Sequence, residues 1–131
     1  MRVMLDTNVL VSAIIFPNER MDSLIFKATL DHQLVLSSCI IDELIDVTKR
    51  KFSNKVKDID LFLTRFPFEL VYTPKKQNLK LFNIRDVDDY PVLYSAIIEN
   101  VDLFVTGDDD FKDIEIEKPE IISPMEFLKR Y

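Results

Sequence analysis

Four acidic side chains stand at the borders of apolar segments, where an uncompensated carboxylate is unfavourable. Asp6 directly follows the first apolar run of the chain, and Asp108 comes two residues after another. Glu43 lies within the apolar stripe of a helix-like segment, and Asp89 opens a second such segment. A carboxylate beside an apolar element loses solvation unless another group compensates it. Each residue alone has an ordinary explanation as a turn, helix cap or boundary residue, but the four together predict a shared site for a divalent cation.

The chemistry of such a site follows from the repulsion between its members. Two carboxylates about 4 Å apart repel by roughly 4 kcal/mol at an effective dielectric near 20. A converging group therefore destabilises the fold or takes up protons unless a cation is present. Mg²⁺ and Mn²⁺ prefer oxygen ligands. Because a bound cation lowers the pKa of a water and stabilises charge on an attacked phosphate, the pattern indicates phosphodiester hydrolysis.

Composition narrows the class of protein. The chain has 131 residues, 47% of them hydrophobic, which predicts one domain over residues 1–131. Cys39 is the single cysteine and His32 the single histidine, so a structural zinc site and an internal disulfide are both excluded. No apolar run approaches the roughly 18 residues of a membrane helix. A cytoplasmic protein with no membrane association is expected.

The charge is unevenly distributed along the chain. The net charge is −6, yet residues 49–80 contain nine of the 17 basic residues and three of the 23 acidic ones. A basic segment on an acidic body suits contact with a phosphate backbone, and Lys49, Arg50 and Lys51 are the candidate RNA-binding residues. A solvated helical face explains the same run equally well.

The elements that must position the acids are short. Non-alternating apolar runs predict strands at residues 2–5, 34–36, 69–72, 103–105 and 121–122, with helices between them. This order indicates a parallel sheet covered on both faces, which binds ligands at the carboxyl ends of its strands. Thr7 and Asp88 are expected to cap helices, and Gly107, the only glycine, is expected to make a tight bend.

Four segments resemble, in order, the acidic motifs of PIN-domain nucleases. Residues 5–13, Leu-Asp-Thr-Asn-Val-Leu-Val-Ser-Ala, are similar to the opening motif, and residues 38–44, which end in Asp-Glu-Leu, are similar to the second. Residues 86–96 begin Asp-Val-Asp-Asp-Tyr-Pro and resemble the third motif. Residues 105–111, Val-Thr-Gly-Asp-Asp-Asp-Phe, resemble the fourth. The resemblance covers residues 3–111.

The resemblance implies a three-layer α/β/α sandwich with a five-stranded parallel sheet and a Mg²⁺- or Mn²⁺-dependent endoribonuclease. It further implies a VapC-like toxin that forms a homodimer, cleaves RNA and is silenced by a cognate antitoxin. By motif, the catalytic acids are Asp6, Glu43, Asp89 and Asp108, and the metal ligands among them are Asp6, Asp89 and Asp108. The residues expected to support these acids are Thr7, Asn8, Thr106 and Asp110.

Two other functions compete with this one. A catalytically silent PIN-like domain would only bind RNA or a protein, and it predicts the loss of at least one acid. A phosphatase of the haloacid dehalogenase type would place its nucleophile at Asp6, but Asn8 stands where that group has a second Asp. The chain also departs from many toxin members, which have Thr-Arg-Asn where this sequence has Thr106-Gly107-Asp108.

Overall fold

The computed structural model describes residues 1–131 and contains one five-stranded sheet. Its strands are β1 (Arg2–Leu5), β2 (Gln33–Ser37), β3 (Glu69–Val71), β4 (Leu103–Val105) and β5 (Glu120–Ile122). They lie in the order β3-β2-β1-β4-β5, and every neighbouring pair is parallel. The predicted parallel sheet is confirmed.

Six α-helices connect and flank the strands. They are α1 (Thr7–Ile15), α2 (Glu19–Phe26), α3 (Ser38–Lys51), α4 (Val56–Arg65), α5 (Tyr90–Ile98) and α6 (Pro124–Arg130). The helical winding changes after α2, because α2 ends at Phe26 and a π-helical turn continues to Asp31. No helix combines the length and the apolar character needed to cross a lipid bilayer.

The core lies between the sheet and the two helical layers. Residues 3–5 of β1, 34–37 of β2 and 103–105 of β4 are all buried, so successive side chains on both faces are covered. This explains why the strands read as continuous apolar runs rather than as alternating patterns. The predicted three-layer α/β/α sandwich is confirmed. Three phenylalanines, Phe104, Phe111 and Phe127, are the largest fully buried side chains.

The strand order creates a crevice between β1 and β4. From β1 the chain moves through β2 to β3 on one side, whereas β4 leads to β5 on the other. Neighbouring strands whose connections diverge in this way leave a ligand-binding crevice at their carboxyl ends. The pairing of Leu5 with Val105 places Asp6 at that point, and the Asp6 N–H donates to the Val105 carbonyl at 3.0 Å.

Three local predictions were wrong. Asp6, not Thr7, caps α1, because extended Asp6 turns its carboxylate onto the Thr7 N–H at 2.8 Å. Asp88 is not a cap; it lies inside a 3-10 turn whose cap is Asp86, which accepts the Asp88 N–H at 2.9 Å. Gly107 makes no left-handed bend, since its φ is not positive and an added Cβ would meet nothing within 4 Å.

Candidate active site

Asp6 is the most buried acid of the crevice, with 7% of its surface exposed. Its Oδ1 accepts the Thr7 N–H and its Oδ2 accepts the Thr106 hydroxyl, both at 2.8 Å. Burial raises the pKa of Asp6 above its usual range, and the charge of Asp108 adds to that rise. The two hydrogen bonds favour the ionised form but do not reverse the direction of the pKa shift.

The Thr106 hydroxyl joins the ends of β1 and β4. It donates to Asp6 and accepts the Asp108 N–H at 3.0 Å. Asp108 in turn caps the 3-10 turn of residues 109–111, where its Oδ1 accepts the Asp110 N–H at 2.9 Å. Asp6, Thr106, Asp108 and the Asp110 N–H therefore form one hydrogen-bonded chain, which fixes the carboxylates of Asp6 and Asp108 and the backbone at Asp110.

Asp89 is the acid of the crevice whose environment most disfavours the ionised form. It is half-buried at the end of the 3-10 turn of residues 87–89, directly before α5, and its Oδ2 is buried without a hydrogen-bond partner. Burial raises the pKa of Asp89 to about 7, and the charges of Asp108, Asp86, Asp6 and Asp110 contribute to the rise. An acid with a neutral-range pKa and a free buried oxygen is typical of a functional site.

The tightest group of carboxylates differs from the predicted metal ligands. One oxygen each from Asp86, Asp89 and Asp110 lie within 4.8 Å of one another, whereas the predicted set was Asp6, Asp89 and Asp108. The two sets share Asp89. The Arg85 guanidinium pairs with Asp110 and supplies positive charge at this group.

Sequence reasoning did not select Asp86 and Arg85 as site residues. The signal for Asp86 was weak: Asp86 and Asp89 come to one side because the segment winds as a 3-10 turn with three residues per turn, and the polar sequence before residue 86 indicated a loop. Nothing in the sequence indicated the ion pair between Arg85 and Asp110, because 25 residues separate the two.

Glu43 approaches the crevice from α3, but not from the apolar stripe in which the sequence pattern placed it. The buried positions of α3 are Ile40, Leu44 and Thr48, and Glu43 itself is exposed. Partial burial of its carboxylate and the charge of Asp6 raise the pKa of Glu43. The Thr7 hydroxyl is close enough to lower that pKa slightly, yet it is buried and makes no hydrogen bond of ordinary geometry.

Of the remaining predicted residues, Asn8 lies at the site and the basic residues 49–51 lie away from it. Exposed Asn8 lines a cavity of about 590 Å³ that also contacts Ser12, Arg85 and Asp108, which brings Asn8 to the site. That volume lies within the range of small-ligand pockets. The exposed basic run of residues 49–51 forms the last turn of α3. At 1.5 Å per residue it begins about 9 Å beyond Glu43 along the helix, so it is not among the acids.

The donors of the crevice fit a hard divalent cation. Every candidate ligand is a carboxylate oxygen, and neither His32 nor Cys39 belongs to the group. Three carboxyls with raised pKa values would ionise more readily beside a cation, and one buried oxygen of Asp89 has no hydrogen-bond partner in the protein. Mg²⁺ and Mn²⁺ are the ions that prefer such ligands.

Comparison with known proteins agrees with this architecture. The sequence matches the family model of the PIN domain over residues 2–110. No curated protein matches the chain. A similar fold occurs in the crystal structure of VapBC2 from Rickettsia felis bound to a DNA fragment from their promoter. The TM-score is 0.71 at 23% sequence identity, and the alignment covers 93% of this chain and 97% of that one.

Proposed function

The chain belongs to the PIN-domain family, and on that premise we propose that it is a Mg²⁺- or Mn²⁺-dependent endoribonuclease and the toxin of a toxin–antitoxin pair. One observation carries the proposal: Asp6, Glu43, Asp89 and Asp108 interact electrostatically at the crevice between β1 and β4. A domain that only bound a partner would gain nothing from carboxyls that repel one another, whereas metal-dependent hydrolysis requires them.

In this proposal Asp6, Asp89 and Asp108 hold the cation. When bound, a divalent cation there would lower the pKa of a water and offset the charge of the attacked phosphate. Thr106 orients the Asp6 carboxylate through its hydroxyl and orients Asp108 through the accepted N–H. Such outer partners fix the direction of ligands and are commonly worth 10–100-fold in metal affinity. The Asp108 side chain positions Asp110 by accepting its N–H.

We assign to Glu43 the transfer of the proton from the attacking water. Its carboxylate faces Asp6 across the crevice, and its raised pKa makes it a stronger base than an ordinary glutamate. In the proposed reaction Glu43 orients the attacking water and accepts its proton. A histidine base is not needed, in agreement with the position of His32 beside the N-terminal amine, Phe127 and Tyr131.

The toxin role also requires a protein that silences the nuclease. An apolar groove of about 330 Å³ lies between α1, α2 and α4, and Phe26 and Leu61 on its lining are exposed. Exposed apolar grooves of this kind accept the apolar face of an amphipathic helix. The proposed occupant is a helix of the cognate antitoxin. Homodimer formation and contact of RNA with residues 49–51 stay predictions from the sequence.

Cleavage of single-stranded RNA with Mn²⁺ or Mg²⁺ tests the proposal. We expect Asp6→Asn and Asp89→Asn to lower the rate by more than about a hundredfold, because each removes a charge that holds the cation. Asp88→Asn and Asp109→Asn are matched controls. Both side chains are neighbours in sequence of proposed ligands, but both are exposed. The controls should keep the activity of the wild type.

The assignment of residues would be wrong if the two control variants lost activity while Asp89→Asn retained it. A wild-type protein that bound RNA but cleaved nothing with either metal would favour the catalytically silent domain. Expression of the gene with and without a small protein encoded directly upstream tests the toxin role, which predicts growth arrest only when the partner is missing.

A further inference from the structure

We propose that residues 73–85, which we call the basic strap, form the surface that holds RNA phosphates beside the acids; this rests on the proposed function. The strap contains four basic residues and no acidic one, within a chain whose net charge is −6. It leads directly into Asp86 and the carboxyl cluster.

The strap runs along the carboxyl edge of the sheet. It leaves the end of β3 at Thr73, whose N–H donates to the Ser38 hydroxyl at 2.9 Å at the start of α3. It then reaches the beginning of α5, where the 3-10 turn of residues 87–89 carries Asp89. Both ends of the strap are therefore fixed at the edge that holds the candidate active site.

Aromatic residues of α5 hold the middle of the strap. The Tyr94 hydroxyl accepts the Asn78 N–H at 3.2 Å, and the Tyr90 hydroxyl accepts the Leu81 N–H at 3.3 Å and donates to the Asn78 carbonyl. Phe82 is buried and stacks on Tyr90 with the ring centroids 4.2 Å apart. A loop fixed in this way loses little conformational entropy when a ligand binds.

The lysines of the strap have no structural role within the chain. Lys75, Lys76 and Lys80 are exposed and belong to none of the seven ion pairs of the molecule. They lie outside any helix, so they do not stabilise a helix C-terminus as basic residues there do. Uncompensated positive charge on an ordered loop is free to bind phosphate groups.

The strap places positive charge beside carboxylates that repel the phosphates of RNA. The crevice carries several carboxylates, and each repels the phosphates of an approaching RNA. Arg85 is the strap residue nearest to them; its side chain pairs with Asp110 and is still 84% exposed. Arg85 thus lies between the acids and the solvent, while the three lysines extend positive charge away from the cleavage site along the same edge.

RNA binding of a triple variant tests the strap. The variant Lys75→Gln, Lys76→Gln and Lys80→Gln is compared with a control that removes three charges from the opposite edge of the sheet, Lys27→Gln, Lys118→Gln and Lys129→Gln. Lys118 pairs with Asp102 just before β4. Burial lowers the pKa of His32 just before β2, and the charge of Lys27 adds to that lowering. Lys129 is in the last turn of α6, and the residue after that helix, Tyr131, packs against the His32 ring. All three lysines therefore lie towards the amino-terminal edge. Both variants carry Asp6→Asn so that the RNA stays intact, and the probe is a short single-stranded RNA.

The strap predicts a large difference between the two triple variants. Loss of three phosphate contacts should lower the salt slope, d log K/d log[salt], by about 2 in magnitude and weaken binding on the order of 10–100-fold at 0.1 M salt. The control should change both quantities far less, and thermal unfolding should show that both variants are folded. Equal salt slopes in the two variants would overturn the RNA-binding role of the strap but would not affect the proposed nuclease function. If no variant bound RNA, including the protein that carries Asp6→Asn alone, both proposals would be overturned.

Discussion

At the scale of single residues, the candidate site is defined by carboxyls that lose solvation and lie near other acids, so that each holds its proton to a higher pH than an ordinary carboxyl. Asp89 has a pKa of about 7, and the pKa values of Asp6 and Glu43 are raised as well. In each case loss of solvation is the first cause and neighbouring carboxylates are a further one. A cation that displaces the remaining proton would relieve both causes together, so metal affinity should rise as the pH rises through 7.

The stability of the metal-free protein should fall as the pH rises from about 4 to about 7. In this window folded Asp89 still binds a proton, whereas unfolded Asp89, with a pKa near 3.8, has lost it. The folded state therefore binds more protons, and the free energy of unfolding decreases with pH. The lowered pKa of His32 acts in the opposite direction, so the informative quantity is the difference between wild type and Asp89→Asn.

Urea unfolding in EDTA at several pH values measures that difference. We expect the wild type to lose stability relative to Asp89→Asn between about pH 4 and 7, because only the wild type must ionise Asp89. Saturating Mg²⁺ should restore the stability of the wild type selectively. Parallel pH profiles for the two proteins would contradict the assigned environment of Asp89.

The residues that the sequence could identify are those whose position follows from local order. Asp6 and Asp108 were predictable because each comes just after an apolar strand, and parallel strands end at one edge. Asp86 and Arg85 were not, because their contacts with Asp89 and Asp110 depend on the path of the preceding loop. That path is set by hydrogen bonds to the Tyr90 and Tyr94 hydroxyls, which no short-range pattern reveals.

At the scale of elements, the strands were predicted to within two residues because each is a short apolar run bounded by polar residues, and the three central strands are buried on both faces. Helix starts were less predictable. Two adjacent polar residues compete for each cap, and the choice between Asp6 and Thr7 depends on which one stays extended at the end of β1. The loop of the basic strap has no periodic pattern at all, and only its contacts with α5 define it.

The Tyr90→Phe variant tests whether α5 orders the strap. It leaves the Leu81 N–H and the Asn78 carbonyl without their hydroxyl partner, which should lower the free energy of unfolding by about 1 kcal/mol. Residues 73–85 should also be cleaved faster by a protease that cuts after lysine. Tyr72→Phe, at a side chain that is 73% exposed, is the matched control. Equal protease sensitivity in the two variants would show that the strap is ordered by other contacts.

At the scale of the whole molecule, the crevice, the acidic cluster and the basic strap all lie at the carboxyl edge of the sheet. Divergent connections from β1 and β4 open the crevice, the acids lie at its mouth, and the basic strap borders it. In the proposed function, this arrangement lets an acidic chain bind RNA, because the basic strap presents positive charge beside the crevice. The fold alone would not establish this, since one fold carries many functions.

The most direct test of the central claim is the location of Mn²⁺ in a crystal of the wild-type protein, determined by anomalous diffraction. The acids predict a peak within bonding distance of the Asp6 and Asp89 carboxylates, with Asp108 or Asp110 completing the protein ligands, and loss of that peak in Asp89→Asn. A crystal at saturating Mn²⁺ with no peak at these carboxylates, or with Mn²⁺ bound only elsewhere, would contradict the account.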